Sequence, residues 1–307
     1  MSPTELDLVA RLSTAEVTGV VELVNEVTDA DGVLPLSEHV MLHLRYGGDT
    51  GARHLLARTG GRVVGYGHID MSDAVAGAAA ELAVRPDARG QGVGGAMVQR
   101  LLAEAVDGRL RLWAHGQQPA AAALARHWGF RRERVLWQMR RSLFAPLPAP
   151  SFPPTITVRA FVPGRDERAW TEVNNRAFAD HPDQGRWGIE EIRIREQEQW
   201  FDPAGFLIAE RDDGSIAGFH WTKVHGGSVG TDHPHEAIGE VYIVGVDPSA
   251  QGLGLGPALT LAGLRHLRSR GLAQAMLYVD ESNSRAITVY ERLGFSRWDT
   301  DVCFARD

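Results

Sequence analysis

The sequence predicts an α/β protein made of two successive copies of one fold. A proline-rich break divides the chain nearly in half, and matched segments recur in the same order on either side of it. Within each half, strand-like runs alternate with helix-like ones, the pattern of layered α/β folds.

The break is Ala145-Pro-Leu-Pro-Ala-Pro-Ser-Phe-Pro-Pro154. Proline fixes φ and removes a backbone donor, so this run suits neither helix nor sheet interior and reads as a stiff linker. It sets the expected domains at residues 1–144 and 155–307, with 145–154 between them. In the first half, Val84-Arg-Pro-Asp-Ala-Arg-Gly-Gln-Gly-Val-Gly94 follows the apolar run Leu82-Ala-Val84. In the second, Val246-Asp-Pro-Ser-Ala-Gln-Gly-Leu-Gly-Leu-Gly256 follows Val241-Tyr-Ile-Val244. His127-Trp-Gly-Phe130 is answered by Arg292-Leu-Gly-Phe295, and Val63-Val-Gly-Tyr-Gly-His68 by Ile216-Ala-Gly-Phe-His-Trp221.

The elements follow in the same order in each half. A helix opens it, over residues 14–27 and 166–179. A hairpin comes next. Leu55-Leu-Ala57 and Val63 to Ile69 flank Thr59-Gly-Gly61, and Phe206-Leu-Ile-Ala209 and Ile216 to Val224 flank Asp213-Gly214. A strand then leads into the glycine-rich turn and an apolar-periodic helix, at 93–106 and 254–270. A short strand (109–114, 274–279), a helix (118–127, 284–293) and a closing strand (134–141, 300–305) complete each half.

Composition narrows the function. Hydrophobic residues make up 44% and charged residues 23% of the chain, as in soluble globular proteins. The single cysteine, Cys303, cannot form an internal disulfide and reads as core packing; this suits a reducing cytoplasm. No leader-like segment opens the sequence, and no apolar run approaches the roughly 18 residues that span a bilayer. Net charge is -7 with no basic tract, which argues against nucleic acid as a partner.

The glycine-rich turns carry the chemistry. Pro86 and Pro248 end their strands by withholding a ladder donor. The glycines let the backbone turn tightly beside a ligand, and the helix that starts there points unpaired N–H groups and its positive dipole end at it. That is an anion site suited to a diphosphate. Arg89 can add charge in the first copy; Gln251 stands at the matching place in the second. A Rossmann loop lies near a domain's start, whereas these lie past the middle of each half, and the Lys-Ser/Thr of a P-loop is absent.

The pattern V-x-P-x-x-[RQ]-G-x-G-x-G after a strand resembles motif A of the GNAT acetyltransferases, and both halves carry it. The resemblance implies a tandem GNAT protein, each domain a mixed, mostly antiparallel sheet flanked by helices. It implies acetyl-CoA as acetyl donor, held at Leu82, Ala83, Val84, Arg89, Gly90, Gln91, Gly92, Val93 and Gly94 in the first copy. In the second copy the corresponding residues are Val244, Gly245, Val246, Gln251, Gly252, Leu253, Gly254, Leu255 and Gly256. Asn283 and Arg285, at the start of the last helix, join this set, although Asn283 is also a natural helix cap. The whole chain resembles the mycothiol synthases, tandem GNAT enzymes that acetylate the cysteinyl amine of a cysteine–glucosamine–inositol conjugate to give mycothiol. Gly239-Glu-Val-Tyr-Ile-Val-Gly-Val-Asp-Pro248, Leu277-Tyr-Val-Asp-Glu-Ser-Asn283, Phe178-Ala-Asp-His-Pro-Asp-Gln184 and Asp31-Gly-Val-Leu-Pro35 carry that likeness.

Acetyl transfer to an amine needs a neutral nucleophile, a stabilised oxyanion and a proton for the departing thiolate. By the resemblance Tyr290 is the general acid, and the matching residue of the first copy is Ala125. Glu240, near the start of the strand that leads to the loop, is a candidate general base; Ala78 stands at its place in the first copy, with Glu81 three residues out of step. A backbone N–H near Val244 is the expected oxyanion donor. The first copy is therefore expected to bind the cofactor without catalysing. Glu38, Asp183, Lys223, Glu240 and Tyr278 are the substrate residues that the resemblance implies, with Trp113 at the place of Tyr278. The stretch His225-Gly-Gly-Ser-Val-Gly-Thr-Asp-His-Pro-His235 reads as a mobile substrate loop, and no metal is expected. The expected partner is a small-molecule amine, and the chain is expected to be a monomer. Two other readings stand beside this one. One is a tandem GNAT enzyme for another small amine, such as an aminoglycoside or polyamine, and the other a non-catalytic acetyl-CoA sensor.

Overall fold

The computed structural model describes residues 3–47, 51–73, 77–179, 181, 187–226 and 237–306. The chain forms two compact units. One is Met1–Trp137 together with Asp299–Asp307, and the other is Gln138–Trp298.

The first unit runs β1 (Thr4–Val9), α1 (Thr14–Asp31), α2 (Glu38–Tyr46), β2 (Ala52–Thr59), β3 (Arg62–Asp70), β4 (Ala78–Val84), α3 (Val93–Glu104), β5 (Leu110–Ala114) and α4 (Pro119–His127). Its sheet is completed by β12 (Ser296–Arg306), the last strand of the chain, in the order β1-β2-β3-β4-β5-β12. β1 to β4 pair antiparallel, β4 and β5 pair parallel, and β5 pairs antiparallel with β12.

The second unit takes residues 138–142 of β6 (Arg131–Ser142) and adds β7 (Ile156–Ala160), α5 (Glu167–Ala177), α6 (Ile189–Glu196), β8 (Phe206–Arg211), β9 (Ile216–His225), β10 (Ile238–Val246), α7 (Leu255–Ser269), β11 (Gln274–Asp280) and α8 (Ser284–Arg292). Its strand order is β6-β11-β10-β9-β8-β7. β7 to β10 pair antiparallel and β10 pairs parallel with β11. Each unit is thus a mixed, mostly antiparallel sheet with helices packed on it, as expected.

Local chemistry explains the element ends. Ser13 caps α1 in a full capping box with Glu16, and Gly32 ends it at φ 70°, where only glycine sits without strain. The sheet of the first unit buries a helix on each face. Val20, Leu23, Val24 and Val27 of α1 meet Leu56, Tyr66 and Ala83, while Met97, Val98 and Leu101 of α3 meet Leu55, Ala57, Ala78 and Ala80. In the second unit Trp170 and Ile192 of α5 and α6 pack with Phe206, Phe219, Trp221 and Ile243, and Leu255 and Leu259 of α7 cover Ala209 and Ala217. Cys303 is buried in β12. Among the described residues no helix is long and apolar enough to cross a membrane.

Candidate active site

In each unit the parallel strand pair ends at the glycine-rich turn. β10 pairs with β11 only at Gly239↔Ala275 and Glu240↔Met276, so the last residues of β10, Ile243 to Val246, are hydrogen-bonded to β9 alone. The register with β9 shifts between Val241 and Ile243, leaving Tyr242 as an extra residue in β10. After Val246, Asp247 accepts from Ser249 N–H and a short turn over Pro248–Ala250 leads to Gly252 and Gly254. Both glycines have positive φ, 85° and 74°, and a side chain at either would meet nothing within 4 Å. α7 therefore starts at an open backbone surface, and no side chain caps it. The first unit repeats this, with Gly90 at φ 72°, Gly92 at 84° and an uncapped α3. Two uncapped helix N-termini behind bare glycine backbone fit a diphosphate, because their free N–H groups are the donors an anion needs.

The side chains around the two loops differ. Arg89 makes a bidentate pair with Asp31 at 2.8 and 2.8 Å, and its Nε donates to Val84 O. Its guanidinium is thus held by the end of α1. Gln91 donates to Asp87 O at 2.8 Å, closing the loop on itself, whereas Gln251 is exposed. Leu253 is exposed and Leu255 buried under the loop, and Val93 is buried likewise at the start of α3.

Glu240 is buried, and its Oε2 lies 2.6 Å from His225 Nε2. It stands opposite Lys223 in the β9–β10 ladder, so both side chains share a face of the sheet. Lys223 is buried too, with Nζ 4.7 Å from the Trp200 ring centre and 5.2 Å from that of Tyr242. Arg195 donates to Tyr242 Oη at 2.7 Å and stacks over Trp187 at 4.1 Å. A carboxylate, two cations and an imidazole therefore sit among aromatic rings.

Tyr290 lies on α8, half-buried against Phe295 at 5.9 Å between ring centres. Desolvation pushes its phenol up to about 12, so it holds its proton at neutral pH. Asn283 caps α8, accepting from Ala286 N–H at 3.0 Å, and Arg285 is exposed in the first turn of the same helix. Tyr278 is exposed on β11, with its hydroxyl accepting from Gln138 at 2.7 Å. Glu38 opens α2 in the first unit, half-buried behind the Ser37 cap. Asp183 lies outside the described residues, as does most of the stretch from His225 to His235. In the first unit Ala78 and Ala125 are buried, Trp113 stacks under Arg134, and Glu81 is buried on the α1–α2 face. No cluster among the described residues could hold a metal ion.

Tyr242, Arg195 and Trp200 were not singled out as site residues from the sequence, and His225 only as the first residue of the stretch read as a mobile substrate loop. The strand period was the available signal for His225, because Trp221, Lys223 and His225 recur at every second residue of β9 and so share one face.

Residues 169–295 match the acetyltransferase (GNAT) family, and residues 50–132 match the acetyltransferase (GNAT) domain. The mycothiol acetyltransferase of Acidothermus cellulolyticus is 56% identical over 305 residues, covering 96% of this chain and 93% of that protein. The chain belongs to the mycothiol acetyltransferase family. The Streptosporangium roseum member is 51% identical over 332 residues, covering 96% of this chain and 97% of its own. Among solved structures, a tandem GNAT protein from the clavulanic acid biosynthesis pathway shares the fold, with a TM-score of 0.73 at 20% identity over 98% of both chains. The tandem arrangement read from the two glycine loops is therefore that of this acetyltransferase family.

Proposed function

We propose that this mycothiol acetyltransferase-family chain uses its second unit to acetylate the cysteinyl amine of a cysteine–glucosamine–inositol conjugate, giving mycothiol. Acetyl-CoA supplies the activated acetyl group when bound. The observation that carries the reading is the asymmetry between the units. Both have the open glycine loop and uncapped helix, but the second has Glu240 near the start of the loop strand and the phenol of Tyr290 on the following helix, where the first has Ala78 and Ala125 and carries its strand carboxylate, Glu81, three residues out of step.

The backbone N–H groups of Gly252, Gly254 and Leu255 receive the diphosphate, and β10 from Val244 to Val246, free of β11, takes the pantetheine arm. Glu240 removes a proton from the acceptor's ammonium. The task is light, because an α-amino group ordinarily titrates near about 8. Tyr290 gives its proton to the departing sulfur. Lys223 and Tyr278, and Asp183 beyond the described residues, bind the acceptor's polar groups; a polyol with an ammonium matches such charged and hydroxyl partners. In the first unit the same loop binds the cofactor, and Ala78 and Ala125 stand where the second unit has Glu240 and Tyr290.

The test is product analysis by mass spectrometry with acetyl-CoA and the cysteinyl conjugate, beside an aminoglycoside and a polyamine. Acetylation of the conjugate at the cysteinyl nitrogen is the expected result. Turnover of another amine with none of the conjugate rejects the reading, and no turnover of any amine favours a sensor.

A further inference from the structure

Glu240 is buried, with 9% of its side chain exposed, so a proton it takes needs a route to solvent before the next turnover. Its Oε2 is 2.6 Å from Nε2 of His225, and the His225 side chain is 36% exposed. His225 is the last residue of β9, on the strand face that carries Lys223, so the backbone ladder that fixes Glu240 also fixes the imidazole. Among the described residues, Lys223 and Tyr242 share this face of the sheet with Glu240. Lys223 is opposite it on β9 over the Trp200 and Tyr242 rings, and Tyr242 on β10 accepts from Arg195 of α6. A buried carboxylate in contact with a partly exposed imidazole is the arrangement a proton exit needs.

We propose that Glu240 and His225 act as one proton-transfer pair, the carboxylate taking the acceptor's proton and the imidazole passing it to water. The inference rests on Glu240 being the base, as above. The nitrogen–hydrogen bond of the ammonium breaks and Glu240 becomes a neutral carboxyl. Its proton then moves to Nε2 of the neutral imidazole while Nδ1 releases one to water. The carboxylate is restored, exchange with water resets the imidazole tautomer, and one proton has left the site. No oxidant, reductant or further reactant is involved.

The experiment compares His225→Gln, His225→Ala and Glu240→Gln with the unaltered full chain, following product by mass spectrometry across pH. Glutamine keeps a donor for Glu240 and carries no proton. The expected result is a fall in kcat of about 10-fold or more for both His225 variants, an acceptor KM within about twofold, and a displaced acid limb of the kcat–pH profile. Added imidazole buffer should return rate to both in proportion to its concentration. A His225→Gln enzyme at full rate overturns the inference and leaves Glu240 as base, since a hydrogen bond alone then suffices. Loss of rate that imidazole does not restore, or a change confined to KM, overturns it too. A Glu240→Gln enzyme at full rate instead removes the underlying base assignment.

Discussion

His115 of the first unit is held between two carboxylates. Its Nδ1 is 2.9 Å from Asp301 and its Nε2 3.4 Å from Glu81, while Glu81 also accepts Ser37 N–H at 2.6 Å. Burial alone would lower the imidazole, but the hydrogen bonds and charges of Asp301 and Glu81 outweigh it and push it up to about 10. Burial would likewise raise Glu81, and its bonds to His115 and Ser37 hold it below its ordinary value instead. The signs fix the pH window. A raised histidine stabilises fully below its unfolded value near 6.5 and loses that contribution as pH rises through about 10. A lowered carboxylate stabilises above its unfolded value of 4.5 and loses that as pH falls. Urea unfolding should therefore show greatest stability of this unit between these limits. His115→Gln should lower stability by ~3–5 kcal/mol near neutral pH, because two buried carboxylates then lack their cation. A pH-independent midpoint, or a loss below about 1 kcal/mol, would show the triad to be inert. In the second unit, if Tyr290 is the proposed acid, Tyr290→Phe should lower kcat by about 10²-fold or more with the acetyl-CoA Kd unchanged. Since the phenol titrates near about 12, the unaltered enzyme should show no alkaline fall in kcat from Tyr290 below pH about 10. The position of Tyr290 could be read from its spacing before Gly294, just beyond α8, and the cap at Asn283 from its residue type at the start of that helix. His115 was not, since its partner Asp301 is 186 residues away and meets it only through tertiary pairing.

At the scale of elements, the strand–loop–helix unit was the part most open to sequence reading. Its signals are local: a proline that ends the strand, glycines at positive φ and an apolar helical period. What ties it to the rest was not visible. Arg85, at the end of β4, is buried and pairs with Glu26 of α1, and its Nε donates to Val63 O at 2.7 Å. At the equivalent place Asp247 pairs with Arg176 of α5 at 2.8 Å, so the same joint is made with the charges reversed. Helices α2 and α6 and edge strands β1 and β7 were not anticipated either. α2 alternates apolar and polar residues as a strand would, with Val40, Leu42 and Leu44 all buried, and Ser37 makes it a helix by capping it. α6 buries only Ile192 and Arg195, too little for an apolar period to stand out. The close approach of α7 to the sheet is testable. A Cβ at Gly263 would lie 2.1 Å from the His220 ring, which is itself fixed by a 2.7 Å bond to Leu259 O. Gly263→Ala should destabilise by ~1–3 kcal/mol through overpacking, although alanine is the better helix former. A denaturation midpoint equal to or above that of the unaltered chain would mean that α7 can shift at no cost.

At the scale of the whole molecule, the chain does not close its units in the order in which it is written. The proline-rich run is present where composition placed it, but residues 299–307 belong to the first unit and 138–142 to the second. The closing strand read at the end of each half is real in both cases; which sheet it completes depends on partners that no local pattern names. β12 pairs with β5 from Val302↔Ala114 to Arg306↔Leu110, buries Cys303 and supplies Asp301 to His115. A fragment ending at residue 144 would therefore present β5 as an unpaired edge and leave the His115 cation with one carboxylate instead of two. It should aggregate or unfold without a cooperative transition, as followed by circular dichroism in urea. The same fragment with residues 299–307 restored through a flexible linker should regain a cooperative transition. Equal cooperativity and midpoints for the two fragments would show that the last strand is dispensable to the first unit, and that the proline-rich run alone marks where the protein can be divided.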